Sequence, residues 1–147
     1  MSPSRISTFL VLLGLALMSC HVGGPARADT PEFNLNEPIV LAGGQEALIP
    51  SEKVRLRFTD VLEDSRCPTQ VQCFWTGQAR IEIEVQPNGS GPTTVEFNTN
   101  PAPGQGVWSG QVGEYTITMR SLEPYPQTPD DPTPLEDYRL TLSVTKG

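Results

Sequence analysis

Histidine is almost missing from this chain: His21, the single one, falls in the N-terminal segment. A Ser-His-Asp or Cys-His arrangement for nucleophilic catalysis is therefore excluded downstream of it. Basic residues are scarce as well. Arg5 and Arg27 precede Asp29, which leaves 8 basic against 17 acidic side chains and a net charge of −9 from Asp29 onward. With no compensating basic stripe, such a chain repels phosphate backbones, so nucleic acid is not expected as a partner. No G-x-S-x-G, P-loop or G-x-G-x-x-G sequence occurs, which removes the common phosphate-cradling and nucleophile-elbow motifs. Hydrophobic runs are short. Residues 9–17, an apolar stretch near the start, reach about half of the ~20 residues that cross a hydrocarbon core.

What the N-terminus does hold is an export signal: Arg5, the apolar run, then Leu17-Met18-Ser19-Cys20. Its length and its closing small residues mark a signal-peptide core rather than an anchor helix. Two cleavage sites compete. Leu17-Met18-Ser19-Cys20 resembles a bacterial lipobox, in which cleavage before Cys20 leaves a lipid-modified N-terminal cysteine. Ala26-Arg27-Ala28 offers an ordinary A-x-A site that would release a soluble chain starting at Asp29. We take residues 1–19 as a lipoprotein signal peptide, 20–38 as a flexible tether punctuated by Pro31 and Pro38, and 39–147 as one domain. The expected location is outside the cytoplasm, lipid-anchored to the cell envelope, with soluble periplasmic or secreted protein as the alternative.

Of the three cysteines, Cys20 is either lipidated or discarded, so Cys67 and Cys73 remain as a pair. In an oxidising compartment that arithmetic predicts a disulfide. A thiolate metal site would need further ligands, and the domain has no histidine to supply one; no cofactor is called for.

Apolar residues alternate strictly in 53–58, with Val54, Leu56 and Phe58 on one side and Lys53, Arg55 and Arg57 on the other. A second alternation runs through 79–85, with Ala79, Ile81, Ile83 and Val85 inward. Both read as half-buried strands. Were they neighbours, Arg55 or Arg57 would face Glu82 or Glu84. Turn chemistry at 87–92 returns the chain into a strand at 93–97, making a hairpin. Residues 39–41 and 47–49, around Gly43-Gly44, read as one interrupted strand or two short ones. After an irregular connection at 98–106 and a short segment near Val107 and Trp108, strands resume at 115–119 and 138–144, with a proline-rich loop at 124–134 between them. No window sustains a 3.6-residue apolar period. The expected fold is all-β: an antiparallel sandwich-like domain, or partly open barrel, of six to seven short strands, nearly without helix.

Residues 64–79 read DSRCPTQVQCFWTGQA and join the two best strands through the cysteine loop. The D-S-R-C-P pattern, then C-x-W-x-G-x-A, then an alternating strand, resembles one found in a group of small uncharacterised bacterial envelope proteins, several of them lipoproteins. The likeness extends loosely over most of the mature domain. It implies an envelope location and a β fold, and it carries over no catalytic residue.

Read physically, the bridge pins a crossover, Trp75 is expected to cover the core beneath it, and Arg66 has Glu63, Asp64 and Asp60 in reach to hold it. The same loop also offers a pre-organised recognition surface made of Arg66, Pro68, Thr69, Gln70, Val71, Gln72 and Trp75, since rigidity lowers the entropy cost of binding. Acidic pairs at Glu63-Asp64, Asp130-Asp131 and Glu136-Asp137 suggest either carboxylate chemistry or, for the last two pairs, a calcium site. A solvated loop accounts for each more simply, and the calcium-loop spacing is absent. Trp108, amid glycines, is expected in the core, with an exposed sugar or peptide platform as the alternative. The leading reading is a non-enzymatic envelope module, binding or structural, with an unknown envelope or extracellular ligand and with membrane contact through the lipid alone. The competing readings are a protease-inhibitor-like protein using residues 66–72 and a small carboxylate hydrolase.

Overall fold

The two alternating segments lie side by side in the middle of one sheet. A computed structural model describes residues 30–130 and 132–147. Its strands are β1 (Pro38–Ala42), β2 (Glu46–Ile49), β3 (Val54–Asp64), β4 (Ala79–Gln86), β5 (Thr93–Asn98), β6 (Ser109–Val112), β7 (Tyr115–Glu123) and β8 (Arg139–Lys146). One sheet has the order β2-β3-β4-β5 and the other β1-β8-β7-β6. All pairings between strands are antiparallel. The only helical element among the described residues is a 3₁₀ turn at Leu135–Asp137.

Strand order follows chain order all the way round, an up-and-down meander flattened into two layers. Both seams are stitched. Asn98 and Val107 exchange backbone hydrogen bonds of 2.9 and 2.8 Å at the β5 to β6 seam, and Gly44 and Gln45 bond to Phe58 at the β1 to β2 seam. Eight strands enclose a space just wide enough for side chains to fill, and Phe58, Phe97, Ile39, Leu41, Ile81, Ile83, Ile117, Leu140 and Leu142 fill it. Full burial of each such side chain stabilises by about 1.5–3 kcal/mol relative to exposure. Binding surfaces must therefore be sought on the outside.

The expected all-β sandwich with one disulfide is what the structure shows, with eight strands rather than six or seven. The extra strand arises because residues 38–49 divide between the two sheets. Gly43 permits the sharp passage, since a Cβ there would overlap the Leu135 carbonyl, and Gly44 takes φ +80°. Two irregularities in β3, at Thr59 and Leu62, reset its register against β4. They end the strict alternation after Phe58 and leave Leu62 exposed.

Two local expectations change. Residues 31–36, read as tether, are laced to the domain: Phe33 N–H bonds to the Leu48 carbonyl, Leu48 N–H to that of Pro31, and Asn36 N–H to that of Val144. Phe33 and Leu35 pack against the core, an alternation too short to stand out in sequence. On the outer face, Arg57 stands opposite Glu84 in register, but the ion pairs are Arg55 with Glu46 at 3.0 Å and Arg80 with Glu96 at 2.7 Å. Exposed pairs of this kind contribute at most about 1 kcal/mol each. The leader, Cys20 and the Ala28 cleavage site lie outside the described residues.

The antiparallel meander places the 65–78, 99–108 and 124–134 connections at one end of the sandwich, here the loop end. The turns at 50–53, 87–92 and 113–114 share the other.

Candidate functional site: the stapled aromatic loop

At the loop end the chain leaves β3, makes a fourteen-residue excursion and returns as β4. Ser65 N–H bonds to the Gln78 carbonyl at 2.7 Å and closes the neck. Gly77, at φ +64°, allows that closure, because a Cβ there would overlap the Ser65 carbonyl. Beyond the neck, Cys67 and Cys73 are disulfide-bonded with Cα atoms 5.9 Å apart, the pairing that cysteine arithmetic gave. Inside the bridge, Val71 N–H turns back to the Pro68 carbonyl, while Thr69 and Gln70 N–H groups bond to the Pro126 and Gln127 carbonyls at 3.1 Å each. The loop is thus stapled to itself and docked on the proline-rich connection.

Beneath it lies a buried polar clamp. Arg66 is 9% exposed. Its guanidinium donates to both Asp64 carboxylate oxygens at 2.7 and 2.6 Å, to the Leu122 carbonyl at 2.8 Å and to the Pro124 carbonyl at 3.0 Å. It also sits 4.8 Å from the centre of the Tyr125 ring. Tyr138 donates its hydroxyl to Asp64 at 2.9 Å. Burial, then that hydrogen bond to a carboxylate, pushes the Tyr138 phenol above its ordinary range. Charge-assisted, bidentate geometry of this kind is what lets an arginine and an aspartate remain buried. The clamp joins the end of β3, in one sheet, to the end of β7, in the other.

Four expectations for this region are corrected. Arg66, counted with the recognition residues, faces inward and structures the loop. Of its three candidate carboxylates only Asp64 holds it: Glu63 accepts from Ser65 and Gln78, and Asp60 accepts from the Val61 N–H. Those two hydrogen bonds draw the Glu63 carboxyl below its usual range. Trp75, expected to plug the core, is 63% exposed, because Leu122, Tyr138 and the Arg66 guanidinium already close that end. Trp108, expected in the core, is 44% exposed; its indole leans over Gly106, beside the Asn100 carbonyl.

The outward residues form the site. Phe74, which sequence reasoning passed over, is fully exposed, and Trp75 and Val71 are exposed on the same loop. Thr69, Gln70 and Gln72 are exposed between them, and Pro68 is half-buried. Of the grooves beside the clamp, two have Arg66 on the wall. One of about 320 Å³ runs between Trp108 and Tyr125. The other, of about 360 Å³, lies between Pro68 and Trp75 on one side and Pro126, Pro129 and Pro132 on the other.

The acidic pairs do not converge. Glu63 and Asp64 are engaged as described, and Asp130, Glu136 and Asp137 are exposed, with Asp131 outside the described residues. No group of three or more His, Cys, Asp or Glu close enough to hold a metal ion occurs among the described residues. Comparison of the chain with protein-family models, with curated proteins and with solved structures returned no match.

Proposed function

We propose that this protein is a non-enzymatic exported module of the cell envelope, lipid-anchored through Cys20, which engages its partner through Val71, Phe74 and Trp75. One observation carries the reading: a fully exposed phenylalanine beside a largely exposed tryptophan, on a loop held by a disulfide, a turn and a buried arginine clamp. Contiguous exposed apolar side chains mark interaction sites. Aromatic anchors on a rigid support lose little entropy on binding. Among the described residues the space between the sheets is occupied by buried side chains, and the likeness to small envelope lipoproteins agrees with the location.

The inhibitor reading draws on the same exposure. A β-turn from Pro68 to Val71 and the hydrogen bonds to Pro126 and Gln127 take up the main chain that a protease cleft would need extended, so the side chains of the loop, not its backbone, are the recognition element. For the hydrolase reading, Glu63 and Asp64 are spent on hydrogen bonds from Ser65, Gln78, Arg66 and Tyr138.

A photo-crosslinking side chain at Gln72 of the exported protein is expected to capture envelope material that the same probe at Asn88, in a turn at the other end, does not. Equal capture at both positions overturns the proposal. Mass spectrometry of the mature N-terminus tests the anchor: acyl chains on Cys20 support it and a free terminus at Asp29 excludes it.

A further inference from the structure

Resting on that reading of the loop, we infer that its partner is the lipid–water interface itself, with Val71, Phe74 and Trp75 inserting among the headgroups. The first observation is charge. Residues 67–79 contain no Asp, Glu, Lys or Arg, whereas the chain from Asp29 carries a net charge of −9. The exposed polar groups of this stretch, Thr69, Gln70, Gln72 and Thr76, are uncharged amides and hydroxyls, which lose little on entering a headgroup layer. A protein partner for such an acidic domain would be selected by opposite charge, and the contact surface offers none.

Shape agrees. Phe74 stands clear of every neighbour, at 103% of its free exposure, so the tip is convex and inserts rather than receives. The 68–71 turn and the bonds to Pro126 and Gln127 satisfy the amides of Thr69, Gln70 and Val71, at the leading edge of the loop. Aromatic side chains with a polar edge favour the interface over both water and hydrocarbon.

Reach agrees as well. Ten peptide links separate Cys20 from Thr30 and span at most about 36 Å, comparable with the roughly 36 Å length of β3 at about 3.3 Å per residue. A lipid on Cys20 would therefore keep the domain within about its own length of the bilayer, and contact by the tip becomes intramolecular.

The acidic body gives the idea an unusual sign. Most peripheral proteins prefer anionic lipid; this one should prefer a zwitterionic surface. The exported full chain carrying Cys20→Ser, which lacks the lipid, is incubated with phosphatidylcholine vesicles and with vesicles containing about one-third phosphatidylglycerol. Expected are sedimentation with phosphatidylcholine, weaker binding to the anionic vesicles at low salt, and a narrowing of that gap as salt screens the repulsion. The Phe74→Ser/Trp75→Ser variant should bind about tenfold less or weaker still, with an unchanged melting transition. In a Trp108→Phe background, brominated acyl chains should quench Trp75. Tighter binding to the anionic vesicles, or no binding and no quenching, overturns the inference. If the Gln72 probe then captures protein, the loop remains the contact surface and only its lipid partner is lost. If that probe captures no more than the Asn88 probe, the loop reading falls with it.

Discussion

Each end of the sandwich is tied across its two sheets by a carboxylate, a cation and a tyrosine, in opposite environments. At the loop end Asp64, Arg66 and Tyr138 are almost wholly buried. At the other, Glu52 accepts from Lys146 at 2.8 Å and from the Tyr115 hydroxyl at 2.9 Å, and Lys146 lies 5.6 Å from the Tyr115 ring centre, with Lys146 well exposed, Glu52 partly so and the Tyr115 ring buried. The chemistry is the same and the consequence is not. Arg66 spends all its hydrogen bonds on a carboxylate and two carbonyls of the opposite sheet, so removing it strands a buried charge and two acceptors. Lys146 is half in water, which replaces whatever it loses. The buried triad supports an exposed loop of apolar rings; the exposed one closes a bare turn.

The sharpest way to break this comparison is Arg66→Met, which leaves Asp64 buried without a cation. Urea unfolding should show a loss of about 3–5 kcal/mol, and an effect below about 1 kcal/mol would mean that water reaches the clamp. Next comes Gly77→Ala, which combines positive φ with overlap on the Ser65 carbonyl. A destabilisation on the order of 3 kcal/mol is expected from denaturant midpoints, together with opening of the loop neck seen as faster hydrogen exchange at Ser65. Removing the bridge by Cys67→Ser/Cys73→Ser should cost about 2 kcal/mol on the chain-entropy estimate for so short a loop, measured against the oxidised protein.

Smaller again is the response of the exposed triad to acid. Hydrogen bonds from Lys146, then from Tyr115, draw the Glu52 carboxyl below its ordinary value of 4.5. Its contribution is thus present above that value and fades as pH falls through the lower, folded one. In Glu52→Gln the loss of stability on acidification should be shallower than in the native chain, and stability near neutral pH should fall by much less than in Arg66→Met. Least of all, Phe74→Ser should leave stability within about 0.5 kcal/mol, since its ring touches nothing; a larger change would show that the ring is packed.

Alternation at 53–58 and 79–85 was enough to place Val54, Leu56, Phe58, Ile81 and Ile83 in the core, because period two leaves a strand no other way to bury one face. The hairpin at 87–92 was legible for a similar local reason. The register irregularities at Thr59, Leu62 and Arg120 were not, since they depend on what the partner strand offers. Nor was the division of residues 38–49 between sheets, which follows from where Leu135 closes on Gly43.

The candidate site divides along the same line. By itself the sequence pointed to the disulfide, from the number of cysteines and the oxidising compartment expected from the N-terminal segment, and it determined that residues 67–79 are uncharged. Only the tertiary structure decided which way the side chains of that loop point. Arg66 turned inward because the carbonyls of Leu122 and Pro124 and the carboxylate of Asp64 converge there, and Trp75 turned outward because that convergence had already closed the core. Inside and outside at a loop are settled by neighbours distant in the chain, whereas in a strand they are settled by the pleat.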